Sequence, residues 1–258
     1  MLDEIIAKTR QRVEESKENK PLEELKSEVQ QLEITQDFPF KKALSEPEIS
    51  IIAEVKRASP SKGLIAEDFD YVAIAKDYEN AGASAISVLT EPYFFKGSND
   101  YLKEIAQNVN IPILRKDFVI DEYMIWEAKL LGASAVLLIV SVLSVVELKK
   151  YLDLAHDLGM SAIVETHDST EIRTALNVGA EIIGVNNRDL TNFTVDIENS
   201  ISLRRCVSGD VIFISESGIK TPQDVSRLKE NNVDAVLIGE TLMKCSDKKA
   251  MISELKNG

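Results

Sequence analysis

A chain of 258 residues with 44% hydrophobic and 28% charged side chains can fill a sizeable core, and its length suits one large barrel or two smaller domains. The formal net charge of -13 repels a phosphate backbone, which argues against a nucleic-acid partner and obliges any anionic ligand to find a local positive site. Cys206 and Cys245 lack paired spacing, the N-terminus alternates charges where a signal peptide needs an apolar stretch, and the longest apolar run (133–146) is too short to cross a bilayer; a cytoplasmic protein without a membrane partner is expected.

In chain order, Leu2, Ile5, Ile6 and Val13 fall on one face of a charged helix, Lys20-Pro21 breaks it, and residues 22–32 offer a second helix. Residues 1–48 are therefore expected to form a helical extension packed on the remainder, residues 49–258. That remainder carries eight apolar runs near 50–56, 84–89, 112–116, 134–140, 161–165, 181–186, 211–216 and 234–239, continuous as in strands buried on both faces. Between them, 71–80, 144–158, 169–177 and 222–231 have helical periodicity, with Asp70, Ser144, Asp168 and Thr221 as N-caps.

The string Gly82-Ala-Ser-Ala-Ile86 returns as Gly132-Ala-Ser-Ala-Val136, as Gly179-Ala-Glu-Ile-Ile183, and loosely as Asn232-Val-Asp-Ala-Val236, each reading as a helix C-terminal cap followed by a strand. The copies recur about every 50 residues with one further strand between, so each strand-plus-helix unit takes about 25 residues, the span a parallel crossover needs. Eight such units predict the α/β class and a (β/α)8 TIM barrel with an N-terminal helical extension.

Several strands stop at an ionisable or amide side chain: Glu54 and Lys56, Lys116, Glu165, Asn186 and Glu216. Charges at these positions are costly to desolvate, and the C-terminal strand ends are where barrels build their sites. Mixed charges in one dry pocket shift one another's pKa values, and a lysine brought toward neutrality would serve as a proton donor. Salt bridges closing the barrel top are the structural alternative, a poor source of stability relative to apolar packing. Ser217-Gly218 after the seventh strand and Gly239 at the end of the eighth suggest a phosphate cradle. The loop 57–63 supplies cations and hydroxyls for a lid over an anionic substrate, and Phe95 and Phe118 stand where they would flank an aromatic one. His156 and His167 have no partner spacing for zinc or a triad and are expected to be chemically idle; without a metal motif or a nucleotide-binding glycine loop, no cofactor is expected.

The segments IIAEVKRASPSKG from Ile51, SVLTEPYFFKGS from Ser87, ILRKDFVID from Ile113, VETH from Val164, GVNNRDL from Gly184, ISESGI from Ile214 and IGETLM from Ile238 make the chain resemble the indole-3-glycerol phosphate synthase family of tryptophan biosynthesis over nearly its whole length. The resemblance implies a cofactor-free carboxy-lyase that closes the ring of 1-(2-carboxyphenylamino)-1-deoxyribulose 5-phosphate, releasing carbon dioxide and water. It implies that Lys116 is the general acid, that Lys56 with Glu54 holds the substrate carboxylate, with the division of proton delivery between Lys56 and Lys116 left open, that Glu165 serves the dehydration, and that Asn186 and Glu216 orient hydroxyls and ring nitrogen. It further implies phosphate-proximal positions at Ser59, Ser217, Gly218, Gly239 and Glu240, and pocket walls at Phe95, Leu137, Arg188, Leu190 and Ile238, joined by Phe118 from the residue reading. At Glu240, where some family members carry serine, only the backbone N–H is expected to contribute. A monomer or weak homo-oligomer is expected. The bare residues also fit a Schiff-base aldolase working through Lys116 or Lys56, or a non-catalytic barrel that binds a phosphate ligand.

Overall fold

The capping signal repeated in the sequence is what turns each helix into the next strand. The computed structural model describes residues 1–188 and 194–257. At Gly82, Gly132, Gly179 and Asn232 φ is 87°, 92°, 86° and 59°, the left-handed conformation that ends a helix. Each time the next residue donates back across the last turn, as Ala83 N–H does to the Tyr78 carbonyl and Ala133 N–H to that of Ala128. Gly159-Met-Ser-Ala-Ile163 makes a fifth copy, absent from the predicted repeat, with Met160 N–H donating to the Ala155 carbonyl.

The eight strands are β1 (Ser50–Val55), β2 (Ala85–Leu89), β3 (Ile113–Lys116), β4 (Ala135–Ile139), β5 (Ser161–Thr166), β6 (Ile182–Asn186), β7 (Ile212–Glu216) and β8 (Ala235–Ile238). They pair in parallel in sequence order, and β1 joins β8 with Ser50 opposite Ala235, closing the barrel. Helices alternate with them, which makes the fold a (β/α)8 barrel. Most strands are a residue shorter at one or both ends than the apolar runs predicted.

Alternation along each strand divides the core in two. Ile51, Ala53 and Val55 pack outward with the helices, while Ile52, Leu114, Leu137, Ile163 and Ile214 fill the barrel interior. Full burial of each such side chain contributes about 1.5–3 kcal/mol.

Three helices precede β1: α1 (Leu2–Asn19), α2 (Leu22–Val29) and α3 (Pro39–Leu44). Phe40 and Leu44 of α3 belong to the interior cluster and plug the N-terminal end of the barrel, where Lys41 also pairs with Glu181 at 3.0 Å. Helix α1 buries Ile5, Thr9 and Val13 but only part of Ile6. Helix α2 ends at Val29, short of residue 32, and Leu32 beyond it is 40% exposed. Arg12 of α1 donates to both carboxylate oxygens of Asp117, at 2.8 and 3.0 Å, and Lys17 pairs with Asp121 at 2.7 Å. The N-terminal segment thus touches both ends of the barrel.

Candidate active site

Polar side chains replace the apolar filling at the C-terminal end of the barrel and surround a cavity of about 520 Å³. Strand register explains the convergence. Glu54 lies two residues beyond inward Ile52, Glu165 two beyond Ile163, and Glu216 two beyond Ile214, so all three continue the interior face. Two inward positions are glycines that make room for them. A Cβ at Gly184 would lie 2.3 Å from Glu216 Oε1, and one at Gly239 would lie 2.3 Å from Glu54 Oε2 and 3.0 Å from Lys56 Nζ.

Lys116 is the hub. Its Nζ donates to Glu165 Oε2 at 3.1 Å and stands 3.3 Å from Glu216 Oε2, with all three side chains nearly buried. Lys56 pairs with Glu54. Asn186 Nδ2 reaches Glu165 Oε1 at 3.4 Å, and its Oδ1 accepts from the backbone N–H of Arg188 at 3.1 Å. The predicted ring of two ammonium groups, three carboxylates and one amide is assembled.

Its electrostatics differ from expectation in one respect. Burial alone would lower the Lys116 pKa, but attraction to Glu165, then Glu216 and Glu54, outweighs it and the pKa is raised. The ring holds this lysine charged rather than bringing it toward neutrality. The group pushed into the neutral range is a carboxyl: burial, with Glu165 and Glu54 adding repulsion against the pull of Lys116, raises Glu216 to about 7. Glu165 moves the other way, its burial overcome by Lys116 and His167. Glu216 Oε1 is buried against Gly184 and has no hydrogen-bond partner among the described residues.

The positions predicted for an anion border the same cavity. Ser217 and Gly218 follow β7 with φ of 69° and 86°, Gly239 follows β8, and Ser59 sits in a short antiparallel ladder pairing Ala58–Ser59 with Gly63–Leu64. A side chain at Gly218 would be strained by its positive φ, and its Cβ would meet Val195 Cγ1 at 2.5 Å. Glu240 lines the cavity, but its carboxylate is taken by Lys244 at 2.7 Å, with Lys62 at 3.8 Å. Lys56, Lys62, Lys220 and Lys244 make this rim locally positive on a chain of net charge -13.

Phe95 and Phe118 face the cavity with ring centroids 6.1 Å apart and planes at 40°. Leu137 and Arg188 also line it. Ile238 borders it, but its side chain packs in the outer layer, and alternation gives the inward place on β8 to Leu237. Leu190 lies outside the described residues. The remaining predicted positions all border this one cavity.

Sequence reasoning passed over several neighbours. His167 is not electrostatically idle: its Nε2 is 3.6 Å from Glu165 Oε1 and its Nδ1 is 3.1 Å from Glu171. Burial would lower its pKa, but Glu171 and Glu165 raise it. His156 instead packs edge-on against Phe38. Buried Glu91 accepts from the backbone N–H groups of Tyr93, Phe94 and Phe95 at 3.0, 2.7 and 3.0 Å, holding the turn that carries Phe95. Met1, Leu2 and Ile5 of the N-terminal segment reach the cavity mouth. The usable signal was in the LRKDF stretch, where Arg115 and Asp117 put charges on both sides of Lys116 and so require partners outside the barrel wall.

The family profile of indole-3-glycerol phosphate synthase matches residues 2–255. The chain belongs to the indole-3-glycerol phosphate synthase family. The indole-3-glycerol phosphate synthase of Endomicrobium trichonymphae is 55% identical over 257 residues, covering 100% of both chains. That of Lachnoclostridium phytofermentans is 50% identical over 268 residues, covering 100% of this chain and 99% of the relative. A solved 3-hexulose-6-phosphate synthase from Salmonella typhimurium superposes with a TM-score of 0.65 at 16% identity, over 81% of this chain and 97% of that one, a likeness of fold alone. Members of the indole-3-glycerol phosphate synthase family are carboxy-lyases of tryptophan synthesis that act on a small phosphate substrate. No helix among the described residues is long and apolar enough to cross a membrane. An ammonium held charged is also a poor nucleophile, which counts against the aldolase reading for Lys116.

Proposed function

We propose that this cavity performs the family's ring closure as a cofactor-free acid–base sequence, with the following division of labour. Lys56, steadied by Glu54, binds the substrate carboxylate, while Phe95 and Phe118 flank the anilino ring and the rim at Ser59, Ser217, Gly218 and Gly239 takes the phosphate. The ring carbon bearing the carboxylate attacks the ribulose carbonyl carbon, and Lys116 delivers a proton to the carbonyl oxygen. Negative charge grows on that oxygen only as the new bond forms, so the ammonium stabilises the transition state more than the ground state. Loss of carbon dioxide then restores the benzene ring. Departure of the new hydroxyl as water, with a proton lost from the adjacent carbon, completes the indole, and Glu165 serves this step. Asn186 and Glu216 orient the hydroxyls and the ring nitrogen.

The observation that carries this reading is the contact of a buried Lys116 with Glu165 at 3.1 Å and Glu216 at 3.3 Å beside an open cavity. We take residues 1–48 to be part of the catalytic unit, the enzyme to work in the cytoplasm as a monomer or weak homo-oligomer, and nucleic acid to have no part in its function. Substrate labelled with ¹³C at the carboxylate tests the chemistry: labelled carbon dioxide should appear in step with indole product, and Lys116→Ala should abolish both. Carbon dioxide without indole, or undiminished turnover by that variant, would refute the assignment.

A further inference from the structure

Behind the anion rim lies a buried polar cluster that the reaction does not touch. Asn187, 5% exposed, stands between catalytic-ring member Asn186 and the end of β7. Its Nδ2 donates to Ser215 Oγ at 2.9 Å and to the Ser217 carbonyl at 3.0 Å. Its Oδ1 accepts from the Ser200 backbone N–H at 3.1 Å and from Ser200 Oγ at 2.7 Å. Ser215 Oγ closes the cluster on Ser200 Oγ at 2.8 Å. All four hydrogen-bonding places of the amide are filled, so its orientation is fixed. Its backbone N–H also donates to the Glu216 carbonyl at 2.9 Å.

The bond to the Ser217 carbonyl falls where the backbone needs holding. Ser217 takes φ of 69° without being glycine, a conformation that persists only where the surroundings enforce it. We infer that Asn187 is a positioning residue for phosphate, fixing the Ser217-Gly218 turn in its anion-receiving shape without contacting the ligand. This rests on the reading that the turn binds the substrate phosphate.

The Asn187→Asp variant keeps the shape and replaces both N–H donors with an oxygen that opposes the Ser217 carbonyl. Its kinetics are to be compared with wild type on the sugar phosphate and on the same compound lacking phosphate, with inorganic phosphate as a competing probe. The expected result is a KM for the phosphorylated substrate and an inhibition constant for inorganic phosphate both raised about tenfold, with kcat within about threefold and kcat/KM for the phosphate-free compound unchanged. If Asn187→Asp does not fold, Asn187→Ser carries the same expectation, since it retains a hydroxyl for Ser200 and loses reach to Ser217. Equal weakening toward both substrates, or no weakening, would overturn the inference while leaving the reaction assignment intact. A wild-type enzyme that shows no preference for the phosphorylated compound would overturn the inference together with the reading that this turn binds phosphate.

Discussion

Gly184→Ala is the smallest substitution that should disturb the catalytic ring. The added methyl group meets Glu216 Oε1 at 2.3 Å and Ile163 Cγ2 at 3.0 Å. Contact between heavy atoms is comfortable from about 3.5 Å, so the Glu216 carboxylate must retreat by about 1 Å. That shift alters its 3.3 Å approach to Lys116 and re-aims the carboxylate. Misplacement on this scale costs about 100-fold in rate. Stability should suffer less: overpacking costs about 1–3 kcal/mol, offset by about 0.4–1 kcal/mol from the reduced freedom of the unfolded chain at a position of ordinary φ. The assays are kcat/KM at neutral pH and urea denaturation, repeated in a Glu216→Ala background, where the methyl group has room and the added loss should shrink to a few-fold. Activity within threefold of wild type, or an equal loss with and without the Glu216 side chain, would refute the argument that this glycine exists to seat the carboxylate.

The pH dependence of stability has a definite sign at Glu216: its carboxyl binds its proton more tightly folded than unfolded, so its contribution is complete below pH 4.5 and declines as pH rises to about 7. Denaturant titrations should show Glu216→Gln flattening that decline; an unchanged slope would contradict the buried environment described. Lys116→Met should lower kcat by about 10²–10⁴-fold and, by stranding two buried carboxylates, destabilise the neutral protein by about 3–5 kcal/mol, with stability partly regained in acid; a variant as stable as wild type at pH 8 would contradict this. Arg12→Ala removes two hydrogen bonds to buried Asp117, leaving Thr90 and Arg115, and should cost about 2 kcal/mol by urea midpoint, below the full value for breaking a buried pair. Phe40→Ala empties the plug at the far end and should cost about 3–5 kcal/mol while leaving KM unchanged; a raised KM would mean that the two ends of the barrel are coupled.

The barrel was legible because its signals are local. Left-handed caps at Gly82, Gly132, Gly179 and Asn232 and the apolar runs after them are short-range features, and strand alternation then dictates which side chains face inward. The same alternation gathered Glu54, Lys116, Glu165 and Glu216. What escaped was set by long-range partners: Arg12 meets Asp117 across 105 positions, and the near-neutral group is Glu216 rather than a lysine because three carboxylates share the pocket with Lys116. Glu240 illustrates the same limit, since a carboxylate at an anion rim makes sense only once Lys244 and Lys62 are seen beside it.

The most direct test mixes purified protein with 1-(2-carboxyphenylamino)-1-deoxyribulose 5-phosphate in buffer containing a chelator and no nucleotide, and follows indole absorbance for wild type, Lys116→Ala and Glu165→Gln. Wild type should give a steady rise and both variants near-flat traces, while inorganic phosphate still binds all three. No indole from the wild-type protein, or undiminished formation by the Lys116→Ala variant, would contradict the proposed function.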